Sequence, residues 1–272
     1  FLLSGRPFFD NRTLAVRRMH APKPLRVGWF TYGTPAETGA KPESWSFTET
    51  EKGGVRIWQE PEEGVPYVLG GDTAGEGSDC FTAFVIDNRT GRQVAELQQR
   101  QSEILYARQI YCLGRYYNDA LAAVEVNFST YPERKLEEWE YPSLYQRERF
   151  DTYANTMVKA FGWETSGKTR PQALAQLHTV MEESPELVVS QWTLGEMVVF
   201  VYDAHGKPQA AVGEHDDLVM AAAITHTART QQRYTVQETA GSRKHWTPDM
   251  WEDWRRADPE TRKYLEKKWA RR

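Results

Sequence analysis

Tyr67-Val68-Leu69-Gly70-Gly71-Asp72 is a run of apolar and small residues that ends in an acid. A Gly/Ser-rich stretch, Thr73 to Asp79, follows it, and then Cys80-Phe81-Thr82-Ala83-Phe84-Val85-Ile86-Asp87. Both apolar runs have strand length and are rich in β-branched and aromatic residues, and turn residues bound them. Asn88-Arg89-Thr90-Gly91 reads as a further turn, with a third strand over Arg92 to Gln98. Short connections between successive strands dictate antiparallel neighbours.

Downstream, the pattern begins to alternate. Ser102 is placed to cap a helix running to about Tyr117, with Ile104, Leu105, Ile110 and Leu113 at helical spacing. Leu121 to Val126 reads as a short buried strand and Pro132 to Glu140 as a helix with proline in its first turn. Ser143 to Gly167 is mixed and is read as a strand and hairpin. A helix over Pro171 to Met181, strands over Leu187 to Ser190 and Glu196 to Asp203, and a closing helix from Leu218 to about Thr227 complete the order. Three antiparallel strands followed by alternation predict an α/β fold, a mixed central sheet with helices on its faces.

Three further observations bound the class. The chain has 272 residues, enough for one substantial domain with appendages, and its formal charge is −4, which argues against a generic nucleic-acid coat. No apolar run approaches the roughly 20 residues that cross a bilayer, and the first ten residues lack the basic and apolar regions of a secretory signal. Cys80 and Cys112 make no disulfide framework and read as buried thiols. The expected organisation is an arm over 1–50, rich in proline, a main domain over 51–230, and a tail over 231–272. The tail carries Trp246, Trp251, Trp254, Trp269 and paired basic residues, with a break at Asp258-Pro259. It reads as a helical extension or as a docking segment.

Four acids stand where strands end or helices begin: Asp72 at the end of the first strand, Glu125 near the end of Leu121 to Val126, and Asp216 and Asp217 at the start of the last helix. In α/β sheets such positions are where functional groups gather. Converging carboxylates resist joint ionisation, and a cation relieves them. Their hard oxygens suit Mg²⁺ or Mn²⁺, and two such ions can clamp a phosphodiester. Each acid also has a structural reading: a turn residue for Asp72, a salt bridge for Glu125, helix capping for Asp216 and Asp217.

Leu69-Gly70-Gly71-Asp72-Thr73-Ala74-Gly75-Glu76-Gly77-Ser78-Asp79 resembles the first nuclease motif of tailed-phage terminase large subunits. Val124-Glu125-Val126-Asn127 resembles the second, and Gly213-Glu214-His215-Asp216-Asp217-Leu218-Val219-Met220-Ala221 the third. The opening, Phe1 to Asp10, resembles the junction after that family's ATPase domain. The resemblance covers about Phe1 to Thr227. It implies an RNase H-like endonuclease that cuts concatemeric double-stranded viral DNA during genome packaging. It also implies a two-ion Mg²⁺ or Mn²⁺ site on Asp72, Glu125 and one or both of Asp216 and Asp217. The implied setting is the host cytoplasm at the procapsid, with DNA, the portal, the small terminase subunit and further copies of the protein as partners. ATP would belong to an upstream domain only, and the isolated domain is expected to be monomeric and off the membrane.

Gly162-Trp163-Glu164-Thr165-Ser166-Gly167-Lys168-Thr169 matches the phosphate-binding P-loop pattern letter for letter. The residues before it make a poor buried strand, so the expectation is a coincidental match. Lys168 and Arg170, with Arg147, Arg149 and His215, are candidates for contacts with DNA phosphates. Competing readings are a resolvase-type nuclease, a nucleotide-binding module through 162–169, and a non-catalytic domain that docks DNA or a portal.

Overall fold

The computed structural model describes residues 6–35, 39–73, 80–100, 102–151 and 155–232, and scattered positions between 247 and 269. The chain forms two compact units, Phe1–Gln232 and Arg233–Arg272.

In chain order the first unit begins with β1 (Arg6–Pro7), α1 (Asn11–Met19), β2 (Arg26–Thr31), β3 (Ser46–Glu49) and β4 (Val55–Ile57). Then come β5 (Tyr67–Asp72), β6 (Phe81–Asp87), β7 (Gln93–Gln99), α2 (Glu103–Tyr116), β8 (Leu121–Val124) and α3 (Tyr131–Glu138). The rest is β9 (Gln146–Asp151), β10 (Thr156–Phe161), α4 (Thr169–Glu183), α5 (Gln191–Val198), β11 (Phe200–Tyr202), β12 (Pro208–Ala210) and α6 (Asp217–Ala228). Seven strands make the central sheet, in the order β3-β2-β4-β7-β6-β5-β8. Among the described residues, the β5–β8 pairing is the only parallel one between these seven strands. The α/β class and the mixed sheet are those expected from the sequence.

Each face of the sheet buries its own core, and the period of two along the strands sorts side chains between them. Tyr67, Leu69, Ala83, Val85 and Leu97 pack with Tyr106, Ile110 and Leu113 of α2. Val68, Phe84, Ile86 and Ala123 pack on the other face with Leu174 and Leu177 of α4, Leu194 of α5 and Val219 to Ile224 of α6. Cys80 and Cys112 are buried free thiols.

The expectation of an arm over 1–50 is corrected. β2 and β3 belong to the central sheet, and Phe9 and Leu14 are buried in the α6-side core. β2 pairs with β4 over only three residues, and the Gln109 side chain completes its hydrogen bonding: Phe30 N–H donates to Oε1 at 3.0 Å, and Nε2 donates to Phe30 C=O at 2.7 Å. A side chain 79 residues away finishes the strand, which is why its own short pattern is weak.

The two late strands are also revised. Leu187 to Ser190 makes no ladder, because Val189 and Ser190 N–H both donate to the Gln93 side chain at 2.9 Å. Ser190 instead caps α5, accepting from Trp192 and Thr193 N–H, so Glu196 lies on a helix and only Phe200–Tyr202 is strand. The hairpin expected within 143–167 is present as β9 and β10.

In the second unit the described residues carry helical segments on either side of Asp258. The Asp258 carboxylate accepts from Thr261 N–H at 3.1 Å, in keeping with the expected break. Trp246, Trp251, Trp254, Phe1 to Gly5, and Ala74 to Asp79 lie outside the described residues.

Candidate active site

The glycines before Asp72 are there because both faces of β5 are approached closely. A Cβ on Gly70 would stand 2.6 Å from Thr225 N and 2.8 Å from Ala221 O of α6. A Cβ on Gly71 would stand 2.4 Å from the Tyr106 hydroxyl of α2. Overpacking of such a contact costs about 1–3 kcal/mol. Bare backbone at Gly70 lets α6 lie directly on β5, which brings the first turn of α6 to the carboxyl end of the strand, and at Gly71 it leaves room for the Tyr106 hydroxyl. Thr225 Oγ1 donates to Phe84 C=O at 3.0 Å, and Thr82 Oγ1 donates to Asp217 C=O at 2.9 Å, so the helix is pinned to β6 at both levels.

The parallel neighbour β8 delivers Glu125. Its N–H donates to Gly71 C=O at 2.8 Å, one residue before Asp72. Glu125 is only 2% exposed, and Thr73 Oγ1 donates to its Oε2 at 3.2 Å. Asp72 keeps a partly accessible face but sits deep among protein atoms, and that depth is the largest cause holding its carboxyl well above the usual range. The charge of Glu125 comes next, followed by Asp217 and Asp216. Four carboxyl groups from three elements therefore share one electrostatic neighbourhood.

The two acids of α6 are held differently. Asp217, 7% exposed, accepts from Cys80 N–H at 2.9 Å, and His215 Nδ1 stands 3.8 Å from the same oxygen. Asp216 occupies the N-cap position yet makes no cap bond, and its carboxylate pairs with Arg170 at 3.1 Å. Arg170 also donates to Pro208 C=O at 2.6 Å.

Among the described residues no three His, Cys, Asp or Glu side chains stand as a ready-made metal cage. The donor set still fits a hard divalent ion. It is all carboxylate oxygen, and Asp72 carries the raised proton affinity of an acid crowded by others, which a cation can replace.

Of the basic candidates, Arg149 and Lys168 are exposed. Arg147 is not an open surface cation: it pairs with Glu164 at 3.2 Å and donates to Gly162 C=O at 2.9 Å, closing the base of the β9–β10 hairpin. Arg170 is likewise committed to Asp216. The P-loop look-alike has another task. It follows β10, a strand of the two-stranded hairpin, rather than a strand of the central sheet. Gly162, at φ +78°, and Trp163 extend the edge of β8: Trp163 N–H donates to Val124 C=O at 2.8 Å, and Val126 N–H donates to Trp163 C=O at 2.9 Å. Farther along, Ser166 Oγ accepts from Lys168 and Thr169 N–H, so the amides that would cradle a phosphate already have partners. The nucleotide-binding reading through 162–169 is withdrawn on these grounds.

Sequence reading missed Glu196, Tyr106 and Thr82. Glu196 carried a usable signal, an acid inside the apolar stretch Leu194 to Phe200, the same signal that marked Glu125. Burial pushes its carboxyl up to about 9, with Asp217 adding to the shift.

No protein-family model matches the chain, and no curated protein does. Solved structures do. The large terminase nuclease from thermophilic phage G20c with bound magnesium aligns at a TM-score of 0.51 and 17% identity, covering 65% of this chain and 89% of that one. Another structure of that nuclease gives 0.50 and 18%, covering 65% and 90%. A cobalt-bound form gives 0.50 and 17%, covering 65% and 89%. At this identity the likeness speaks for architecture alone: the chain has the RNase H-like fold of the large-terminase nuclease domains.

Proposed function

We propose that the protein is a divalent-metal-dependent endonuclease that cuts double-stranded DNA, in the manner required to sever concatemeric viral DNA during packaging. The observation that carries this reading is the meeting of Asp72, Glu125, Asp216 and Asp217 at the ends of β5 and β8 and the start of α6. The magnesium and cobalt reported with the G20c nuclease agree with a divalent ion at such a site.

Asp72 and Glu125 are the central ligands, with Asp217 and Asp216 completing the set. Bound Mg²⁺ or Mn²⁺ supplies Lewis acidity and a water of lowered pKa for phosphodiester hydrolysis. The chain's own groups hold the ligands still. Thr73 fixes one oxygen of Glu125, the Cys80 amide fixes one of Asp217, and Arg170 orients Asp216 while offsetting part of the negative charge. Arg149 and Lys168, both exposed, are the candidates to meet backbone phosphates, and His215 to touch DNA or orient Asp217. Nothing in the chain resembles a base-reading module, so cleavage has little sequence preference. In the packaging assembly its partners would be the portal, the small subunit and further copies, at the procapsid in the host cytoplasm.

Plasmid cleavage in Mn²⁺, Mg²⁺ and EDTA tests this, beside Asp72→Asn and Glu125→Gln. Nicking that needs the ion and drops at least about 10³-fold in both folded variants is expected. A folded wild-type protein that leaves plasmid intact in every metal would move the reading to a non-catalytic DNA- or portal-docking domain.

A further inference from the structure

A helix leaves its first N–H groups without intrahelical partners, and the residue at the N-cap ordinarily takes the second and third of them with its own side chain. In α6 those donors belong to Leu218 and Val219, and the N-cap residue is Asp216. Asp216 does not take them. Both donate instead to one oxygen of Glu196, at 2.7 and 3.2 Å. Glu196 comes from the neighbouring helix, 22 residues earlier, and its other carboxyl oxygen is left out of these two bonds.

Helix α5 is itself firmly seated. Thr193 Oγ1 donates to Glu96 of β7 at 3.0 Å, Glu96 pairs with Arg56 of β4 at 2.8 Å, and the Arg56 guanidinium lies 3.9 Å from the centre of the Trp192 ring. The carboxyl that reaches α6 is therefore carried on an element bound to the middle of the sheet.

We infer that Glu196 is a positioning residue, a cap lent from α5 that stands in for the Asp216 carboxylate at Leu218 and Val219, leaves that carboxylate to its pair with Arg170, and sets the first turn of α6 for Asp216 and Asp217. This rests on the metal-nuclease reading. If Asp216 had to cap its own helix, its oxygen would be spent on Leu218 and Val219. Because Glu196 acts as an acceptor, an amide oxygen serves in its place.

The test compares wild type, Glu196→Gln and Glu196→Ala. Mn²⁺ affinity is measured by titration calorimetry, backbone amide exchange at Leu218 and Val219 by NMR, and plasmid nicking against Mn²⁺ concentration. Loss of a group that orients ligands weakens metal affinity about 10–100-fold. Glu196→Ala is expected in that range, with faster exchange at both amides, and Glu196→Gln within about threefold of wild type. Unchanged Mn²⁺ affinity in folded Glu196→Ala, or Glu196→Gln as weak as Glu196→Ala, would overturn the inference. If Glu196→Ala does not fold, the wild-type amides decide: unprotected Leu218 and Val219 sink the cap. Wild type that neither binds Mn²⁺ nor nicks DNA defeats the nuclease reading, whereas active wild type with an unaffected Glu196→Ala defeats only this one.

Discussion

Two stretches of this chain match sequence patterns for phosphate chemistry, and they fare differently in three dimensions. Tyr67 to Asp72 is an interior strand of the sheet, paired along its length with β6 on one side and over Val68 to Gly71 with β8 on the other. Its acid is carried to a point that three elements share. Gly162 to Thr169 is a letter-perfect P-loop pattern whose preceding strand belongs to a separate hairpin and whose Lys168 and Thr169 amides are already bonded. The difference shows that a short motif has chemical meaning only through what precedes it and where its N–H groups point.

The largest effect that would break this comparison is on cleavage. Asp72→Ala should abolish nicking, while Lys168→Ala should lower it only several-fold and flatten its dependence on salt, as expected for one phosphate contact. Equal losses would mean that the loop belongs to the reaction centre after all.

Stability sharpens the contrast next. His226 lies on α6, whose first turn carries the candidate ligands. Its ring is buried against Phe84 with both nitrogens unbonded, and burial, with some help from Arg229, lowers its pKa to about 3. The unfolded chain binds this proton near pH 6.5, so it holds more protons than the folded one between about 6.5 and 3. Stability therefore falls as pH drops through that window, by roughly 3 kcal/mol at pH 4. His226→Leu should remove that acid sensitivity, seen as a flatter melting temperature between pH 7 and pH 4. An unchanged slope would place the acid sensitivity elsewhere.

The glycines of the look-alike loop separate its real task from its apparent one. Gly162 has φ +78° and a Cβ there would stand 2.9 Å from Val124 C=O, so Gly162→Ala should destabilise by about 1–3 kcal/mol in urea melts. Gly167 has nothing within 4 Å of its would-be Cβ. Gly167→Ala should lie within about 0.5 kcal/mol of wild type and leave nicking unchanged. In a working phosphate loop the ranking would differ, because both glycines would matter to binding.

Much of the fold was legible because local patterns and long-range packing agree. β5, β6 and β7 carry enough apolar residues to identify them, and α2, α4 and α6 carry helical spacing or clear ends. The pattern was weakest wherever a distant side chain completes a local structure. Gln109 finishes β2, and Gln93 takes the amides of Val189 and Ser190, so segments that look like arm and strand became strand and helix cap. Asp72, Glu125, Asp216 and Asp217 could be picked out because acids at the ends of apolar runs are costly unless used. Their supports could not: Thr82, Cys80, Tyr106 and Glu196 act through contacts across 22 to 137 residues of sequence, which no window of residues displays.

By itself, then, the sequence determined the class of the sheet, the chemical type of the candidate ligands and the elements that bear them, because periodicity and the cost of buried charge are local properties. The tertiary structure alone decided that Gly70 lets α6 touch β5 while Gly71 makes room for Tyr106 of α2, that Arg147 and Arg170 serve the protein rather than an open surface, and that the cap of α6 comes from α5. Those are matters of which backbone donors remain after the chain has packed, and only the packed chain contains the answer.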